Sequence, residues 1–315
     1  MIVLDSTGFV VEQAAHLSID DEAVARWARD ASPAALRPQG HDLFAHLAGD
    51  EAQLANIVLL IDALNFCFWS SDPIQFEWQG QTYERFNAFF VSVILAARYE
   101  PRWYDPQFWL EAPADELQAI FGGRGELLLM DDRQRIIRET ARILLERFDG
   151  QFINAIESVC GRAWPLAVLL MTEFDSFRDV ANYRDKTVYF MKRAQICALD
   201  QSVARQRQHH PPLSGLSELT AFADYRVPQA LRHLGILKLS PDLTRRVEAE
   251  EELDQGSAEE VEIRAASIQA VDRMVKAVGR RGRVVTAWEV DWYLWRLSHD
   301  AEVAVNHHRT RTVYY

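Results

Sequence analysis

Cysteine is scarce: three residues in 315, far apart at Cys67, Cys160 and Cys197. No pair has zinc-ligand spacing and the odd count does not suit a disulfide scaffold, so all three read as small buried hydrophobes in a reducing compartment. Positive charge is also in deficit, with 34 lysines and arginines against 46 aspartates and glutamates, a formal net charge of -12. Wrapping a nucleic-acid backbone needs a basic surface, so nucleic acid is not expected as a partner. A small phosphorylated ligand remains compatible, because a local cationic pocket can sit inside an acidic molecule. Long apolar runs are missing too. Ile57 to Ile61 stops at Asp62, and Met1-Ile2-Val3-Leu4-Asp5 lacks both regions of a secretion signal. These absences predict a cytoplasmic monomer without a membrane partner.

Strand signals are few. Phe76 to Tyr83 alternates around Gln79-Gly80 and predicts one short hairpin. No βαβ alternation and no fixed-period repeat is seen, which disfavours a Rossmann sheet and a solenoid. What the chain has in quantity is apolar and aromatic side chains, 49% hydrophobic with nine tryptophans, enough for a substantial core.

Helical periodicity dominates. A capped amphipathic start lies at Ser18 to Trp27, and Glu51 to Trp69 reads as one long buried helix. Further helices are predicted over Phe89–Ala97, Asp132–Phe148, Phe152–Cys160, Val188–Asp200, Val227–Leu234, Glu259–Val278 and Ala287–Leu297. Ser257 with Glu260, and Thr286 with Glu289, have capping-box spacing. Gln206 to Leu216 reads as a loop and Glu248 to Gly256 as a solvated acidic connector. The expected fold is all-α, a single mainly helical domain over residues 1–315 with an N-terminal helical portion at about 1–50.

Three segments hold polar residues that an apolar context makes costly. On the predicted Glu51–Trp69 helix, Asp62, Asn65 and Trp69 fall on one face. They form either a buried structural network or a pocket wall that hydrogen-bonds a polar ring, with Phe66 or Trp69 stacked on it. On the next predicted helix, Tyr189, Lys192, Arg193, Ile196 and Asp200 share a broad sector. Adjacent cations need an anion between them, either Asp200 or a substrate phosphate; an ordinary surface ion pair is the alternative. Asp224 precedes the helix containing Pro228. It can cap that helix, and a carboxylate held ionised there can also stabilise an oxocarbenium-like sugar or activate water.

Other patterns carry less. Phe121-Gly122-Gly123-Arg124-Gly125 lacks the ending of a P-loop. His209-His210 and His307-His308 are adjacent pairs, poor geometry for two ligands on one metal, so neither metal nor cofactor is expected. Trp288, Trp292 and Trp295 read as a core stripe, and Glu262 and Arg264 as part of an interior salt-bridge network.

Read together, Leu64–Ser70, Phe174–Asp179, Tyr189–Gln195, Phe222–Gln229 with Leu234-Gly235, Val261–Ala265 and Tyr293–Trp295 resemble the queuosine salvage protein family, from about residue 50 onward. The resemblance implies a fold similar to helical DNA glycosylases. It also implies hydrolysis of queuosine 5′-phosphate at the bond joining queuine, a substituted 7-deazaguanine, to the ribose. It points to Lys192 and Asp224 as the catalytic pair. Arg193, Arg226 and His233 become candidate phosphate contacts, and Asp62, Asn65, Phe66 and Trp69 candidate readers of the base. Asp200 and Tyr225 complete the expected binding set, with Glu262, Asp175 and Arg178 behind it. The rival readings are a non-catalytic binder of a modified purine nucleoside, a DNA or RNA glycosylase, and a structural adaptor.

Overall fold

Apolar residues at helical spacing generate most of the architecture, which is mainly α. The structure, a computed structural model, describes residues 1–32, 34–36 and 46–315. Its helices are α1 (Ile2–Glu12), α2 (Asp21–Asp30), α3 (Glu51–Ala63), α4 (Arg85–Tyr99), α5 (Pro106–Glu111), α6 (Ala114–Ala119) and α7 (Met130–Arg147). Then follow α8 (Phe152–Ser158), α9 (Ala163–Glu173), α10 (Lys192–Arg207), α11 (Arg226–His233), α12 (Pro241–Glu248), α13 (Ala258–Gly279) and α14 (Ala287–Leu297). Three antiparallel strand pairs interrupt them: β1 (Leu17–Ile19) with β6 (Leu237–Leu239), β2 (Gln75–Trp78) with β3 (Gln81–Glu84), and β4 (Val180–Tyr183) with β5 (Lys186–Tyr189).

The predicted hairpin is β2–β3, where Trp78 pairs with Gln81. Its two-residue loop puts Gln79 at φ 53° and Gly80 at φ 76°, the positive values that a tight hairpin turn demands at both positions. Expecting one hairpin missed the other two pairs. The β4–β5 residues Val188 and Tyr189 had been assigned to a helix, and β1 meets β6 across more than two hundred residues, a pairing with no local signal.

Several helix boundaries differ from expectation, among them the end of α10 at Arg207 rather than Asp200 and the start of α4 at Arg85 rather than Phe89; two further differences shape the site. The Glu51–Trp69 helix ends at Ala63. Beyond it the buried Arg133 of α7 donates to the carbonyls of Leu64 (2.6 Å) and Phe66 (2.5 Å), and Cys67 turns left-handed at φ 52°. Asp62, Asn65 and Trp69 therefore do not share a helical face. The second helix starts at Lys192, not Val188, because Met191 is left-handed at φ 55° and the Asp179 carboxylate accepts from the Lys192 backbone N–H (3.0 Å). Tyr189 lies in β5.

While Leu243, Val247, Leu253 and Ile263 form a small separate cluster around α12, one large apolar core takes side chains from most of the described chain. At its centre α3 is buried along nearly its whole length, packed on α10, α8 and α7. Ile57, Leu59, Leu60 and Ile61 are fully enclosed, so cutting any one to alanine costs about 2–5 kcal/mol. The 22-residue α13 forms a second spine, holding α1 and α2 on one side and α11 and α14 on another. The capping spacing at Thr286 is used: Glu289 accepts from the Thr286 N–H (2.7 Å). Ser257 caps α13, but Glu260 reaches back to the Gly256 N–H instead. The acidic connector is tied down in part, with Glu250 and Glu252 paired to Arg309 and Arg311.

Candidate functional site

A cavity of about 530 Å³ opens between the segment after α3, the β2–β3 hairpin, the first turn of α4, α10, the strap that precedes α11, and α14. Its lining is aromatic with a few charged groups: Asn65, Phe66, Lys192, Asp200, Asp224, Tyr225 and Arg226 from the expected set. Joining them are Phe68, Arg85, Phe222, Trp288, Asp291, Trp292, Trp295 and His299. Asp62, Trp69, Arg193 and His233 do not line it. Asp62 lies behind Asn65 and accepts from its amide (3.4 Å). Trp69 faces away, with Arg309 and Arg311 over its ring at 5.6 and 5.4 Å. Arg193 is locked in the core on the Ala63 and Ser176 carbonyls, between the Phe66 and Phe177 rings. His233, at the last turn of α11, is exposed.

The strap Leu219–Tyr225 is gripped from three helices. Gln195 of α10 donates to Thr220 Oγ1 (3.0 Å) and accepts from its N–H (2.8 Å). Asp291 of α14 accepts from the Phe222 N–H (2.8 Å), and Arg264 of α13 donates through Nε to the Ala223 carbonyl (3.0 Å). That arginine also forks onto Asp179 at 2.9 and 2.7 Å, the same carboxylate that fixes the start of α10. One buried ion pair thus sets the positions of Lys192 and Asp224 together. The expected Glu262–Arg264 network is instead Asp179–Arg264, with Glu260 at 3.6 Å. Glu262 serves another purpose, accepting from the N–H groups of Ala15 and His16 and from the Tyr183 hydroxyl. Asp175 and Arg178 pair with each other on the surface.

Asp224 caps α11, accepting through Oδ1 from the N–H groups of Arg226 (2.8 Å) and Val227 (2.9 Å). Its Oδ2 makes no hydrogen bond to a described residue, and the side chain stands on the cavity wall at 9% exposure. Lys192 does not form an ion pair with it. The ammonium donates to the backbone carbonyl of Asn65 (3.0 Å) and to its amide oxygen (3.4 Å). Burial pushes this lysine down to about 8; Asp224 is the strongest charge working the other way, ahead of Asp62. Burial raises Asp62 to about 7 against the pull of Asn65, Lys192 and Arg193.

Two further carboxyls face the cavity without a cation against them. Asp200 is not the counter-ion clamped between Lys192 and Arg193: it accepts no hydrogen bond from a described residue, and burial, then Asp62, hold it well above the carboxylate range. Asp291 is raised likewise, by burial and then by Asp224. The cations sit elsewhere. Arg85 enters α4 at φ 54°, a left-handed value uncommon off glycine, and Arg226 leans on Gln229 (3.0 Å). Burial raises the Tyr225 hydroxyl to about 12 while the Arg226 and Arg85 charges oppose that rise; both arginines line the cavity. His299 also lines the cavity, its ring tilted against Trp295 at 4.4 Å.

Trp288, Trp292 and Trp295, expected in the core, form one cavity wall, Trp292 and Trp295 stacked at 5.4 Å. An acid at Asp291 inside that i, i+3, i+4, i+7 stripe was the signal that distinguished a site face from a core face. Arg85 gave no such signal, since Arg226, the other arginine of the cavity, is more than a hundred residues away in sequence. Among the described residues no cluster of His, Cys, Asp or Glu could hold a metal ion, and no helix is long and apolar enough to cross a membrane.

The family model described as queuosine salvage protein matches residues 45–315. A protein of Sphaerobacter thermophilus named queuosine 5′-phosphate N-glycosylase/hydrolase is 40% identical over 99% of this chain and 97% of its own length. Proteins of the same name from Mus musculus and Bos taurus are 32% and 31% identical, each over 99% of this chain and 98% of their own. With a match of that extent and these relatives end to end, this chain belongs to the queuosine salvage protein family.

Proposed function

We propose that this protein hydrolyses the N-glycosidic bond of queuosine 5′-phosphate and releases queuine. The observation that carries the reading is Asp224: one oxygen is fixed by two helix N–H groups, and the other is left free on a cavity of about 530 Å³ with walls suited to a flat ring. The relatives' shared name supplies the substrate.

A 7-deazapurine carries carbon in place of N7, so protonation there cannot help the base leave. The work then falls on the sugar and on the charge developing in the departing ring. Asp224 stabilises positive charge at the anomeric carbon and takes a proton from the attacking water, its aim set by the α11 N-terminus. Lys192, steadied on Asn65, presents positive charge to the base as negative charge develops there. Asn65 and Asp200 read the polar edge of the base, and Phe66, Phe68 and the tryptophan wall hold its faces. Arg85 and Arg226 take the 5′-phosphate, the bidentate chemistry for which a guanidinium is the better partner. Asp62 and Arg193 act from behind the wall by fixing Asn65 and the end of α3.

The test is release of queuine from queuosine 5′-phosphate, followed by chromatography, with wild type and Asp224→Asn. The variant loses about 100-fold or more in kcat. Turnover near wild type removes Asp224 from the role.

A further inference from the structure

Asp291 has a place in the chemistry that the charge at Asp224 leaves open. It stands on the cavity face of α14, 5% exposed, with Oδ1 accepting from the Phe222 N–H (2.8 Å). Phe222 is two residues from Asp224 on the same strap, so the two carboxyls are held by a common short segment. No lysine or arginine among the described residues forms an ion pair with Asp291, and its Oδ2 has no hydrogen-bond partner there. The charged groups that bear on it are Asp224 from the strap and Lys192 from α10. Asp200, Arg226 and His299 also line the cavity.

Its neighbours on the helix indicate which part of a nucleotide Asp291 meets. It lies on the cavity face of α14 between Trp288 and Trp295, the wall that holds the base in the proposed reading, and it anchors the strap two residues before Asp224. We propose that the Asp291 carboxyl is the acid that protonates the departing base while Asp224 serves the sugar. This assignment rests on the reading of the site as a queuosine 5′-phosphate hydrolase.

The exchange balances. Water oxygen bonds to the anomeric carbon as the bond from that carbon to the base nitrogen breaks, and the bonding pair leaves with the base. Asp224 takes one proton from the water, and Asp291 gives its own to the departing nitrogen, the atom whose place the phenolic oxygen takes in an aryl riboside. One proton then passes from Asp224 back to Asp291, directly or through a water, and restores both. Burial and the neighbouring Asp224 charge keep Asp291 in the protonated form this requires. Asp200 is a poorer donor: no hydrogen bond aims its carboxyl, whereas Asp291 is fixed to the segment that carries its partner.

Leaving-group dependence tests the assignment. Wild type and Asp291→Asn, which keeps the acceptor for Phe222, are assayed on queuosine 5′-phosphate and on phenyl and 4-nitrophenyl ribofuranoside 5-phosphates. An acid matters most when the leaving group is poor. Expected is a loss of about 100-fold in kcat on queuosine 5′-phosphate and on the phenyl compound, with kcat on the 4-nitrophenyl compound within about threefold of wild type. The ratio of the two aryl rates is independent of how much variant is folded. An unchanged ratio, or undiminished turnover of queuosine 5′-phosphate, overturns the role of Asp291. Wild type inert on queuosine 5′-phosphate but active on the aryl compounds overturns the substrate reading instead, and the aryl ratio still judges Asp291.

Discussion

Deprived of water, an ionisable side chain keeps its charge only where neighbours replace the lost solvation. The cavity contains both outcomes within a few residues. Asp224 has two helix N–H groups on one oxygen, whereas Asp200 and Asp291 have no cation against them and are driven toward the neutral acid. Arg85 and Arg226 show the same logic for an incoming anion: both line the cavity, and the carboxylate paired with Arg85, Glu84 at 3.6 Å, is itself half in solvent. The double variant Arg85→Ala, Arg226→Ala therefore raises KM for queuosine 5′-phosphate by about 100-fold while leaving kcat/KM for the unphosphorylated nucleoside within about threefold. Steady-state kinetics on the two substrates check it; equal losses on both exclude a phosphate role. Lys192, Asn65, Asp200 and Asp224 were all legible as polar residues out of keeping with their apolar surroundings, and Phe66 as a ring placed to stack beside them. Asp62 and Arg193 satisfied the same criterion yet do not line the cavity, because costliness identifies a buried polar group without telling which side of the wall it faces.

At the level of elements, the site depends on how a strap and a helix start are pinned. The Arg264 guanidinium, 3% exposed and stacked on Phe190 at 3.9 Å, joins Asp179 to the Ala223 carbonyl, so one pair registers α10 against the strap. Removing one partner leaves the other charge buried and unsatisfied. Asp179→Ala costs about 3–5 kcal/mol, read from urea denaturation, and lowers kcat although Asp179 does not line the cavity. A loss below 1 kcal/mol shows that the pair is replaceable. Helices with a clear apolar stripe and an N-cap were legible, as at Ala287–Leu297, where expected and observed bounds coincide. Two of the ends that failed were set by groups on other elements. Arg133 breaks the run after α3, and Asp179 sets the start of α10; neither contact is written near the residues it governs.

Across the whole molecule, acid balance follows from which groups lie inside. His308 is 3% exposed, its Nε2 3.3 Å from the Tyr315 hydroxyl, and burial, then His307, hold it well below the usual histidine range. His307 is lowered to about 3, first by burial and then by Arg226. Folded imidazoles stay neutral where unfolded ones take up protons, so their stabilising contribution is intact above about pH 6.5 and declines as pH falls. Replacing His308 by Gln removes one such term. The stability gap between wild type and His308→Gln narrows as pH drops from 6.5 to 5, by up to about 1.4 kcal/mol per pH unit, as measured by denaturant unfolding at each pH. A gap constant over that window shows that His308 protonates equally in both states.

The indole wall of α14 has one more use. Three of the nine tryptophans look onto the space a flat heterocycle would fill, and indole emission is sensitive to a ring laid against it. Intrinsic fluorescence therefore offers a dye-free gauge of occupancy. Titrating the protein with queuine dims that signal, and the catalytically disabled variants can be graded for ligand retention in the same cuvette.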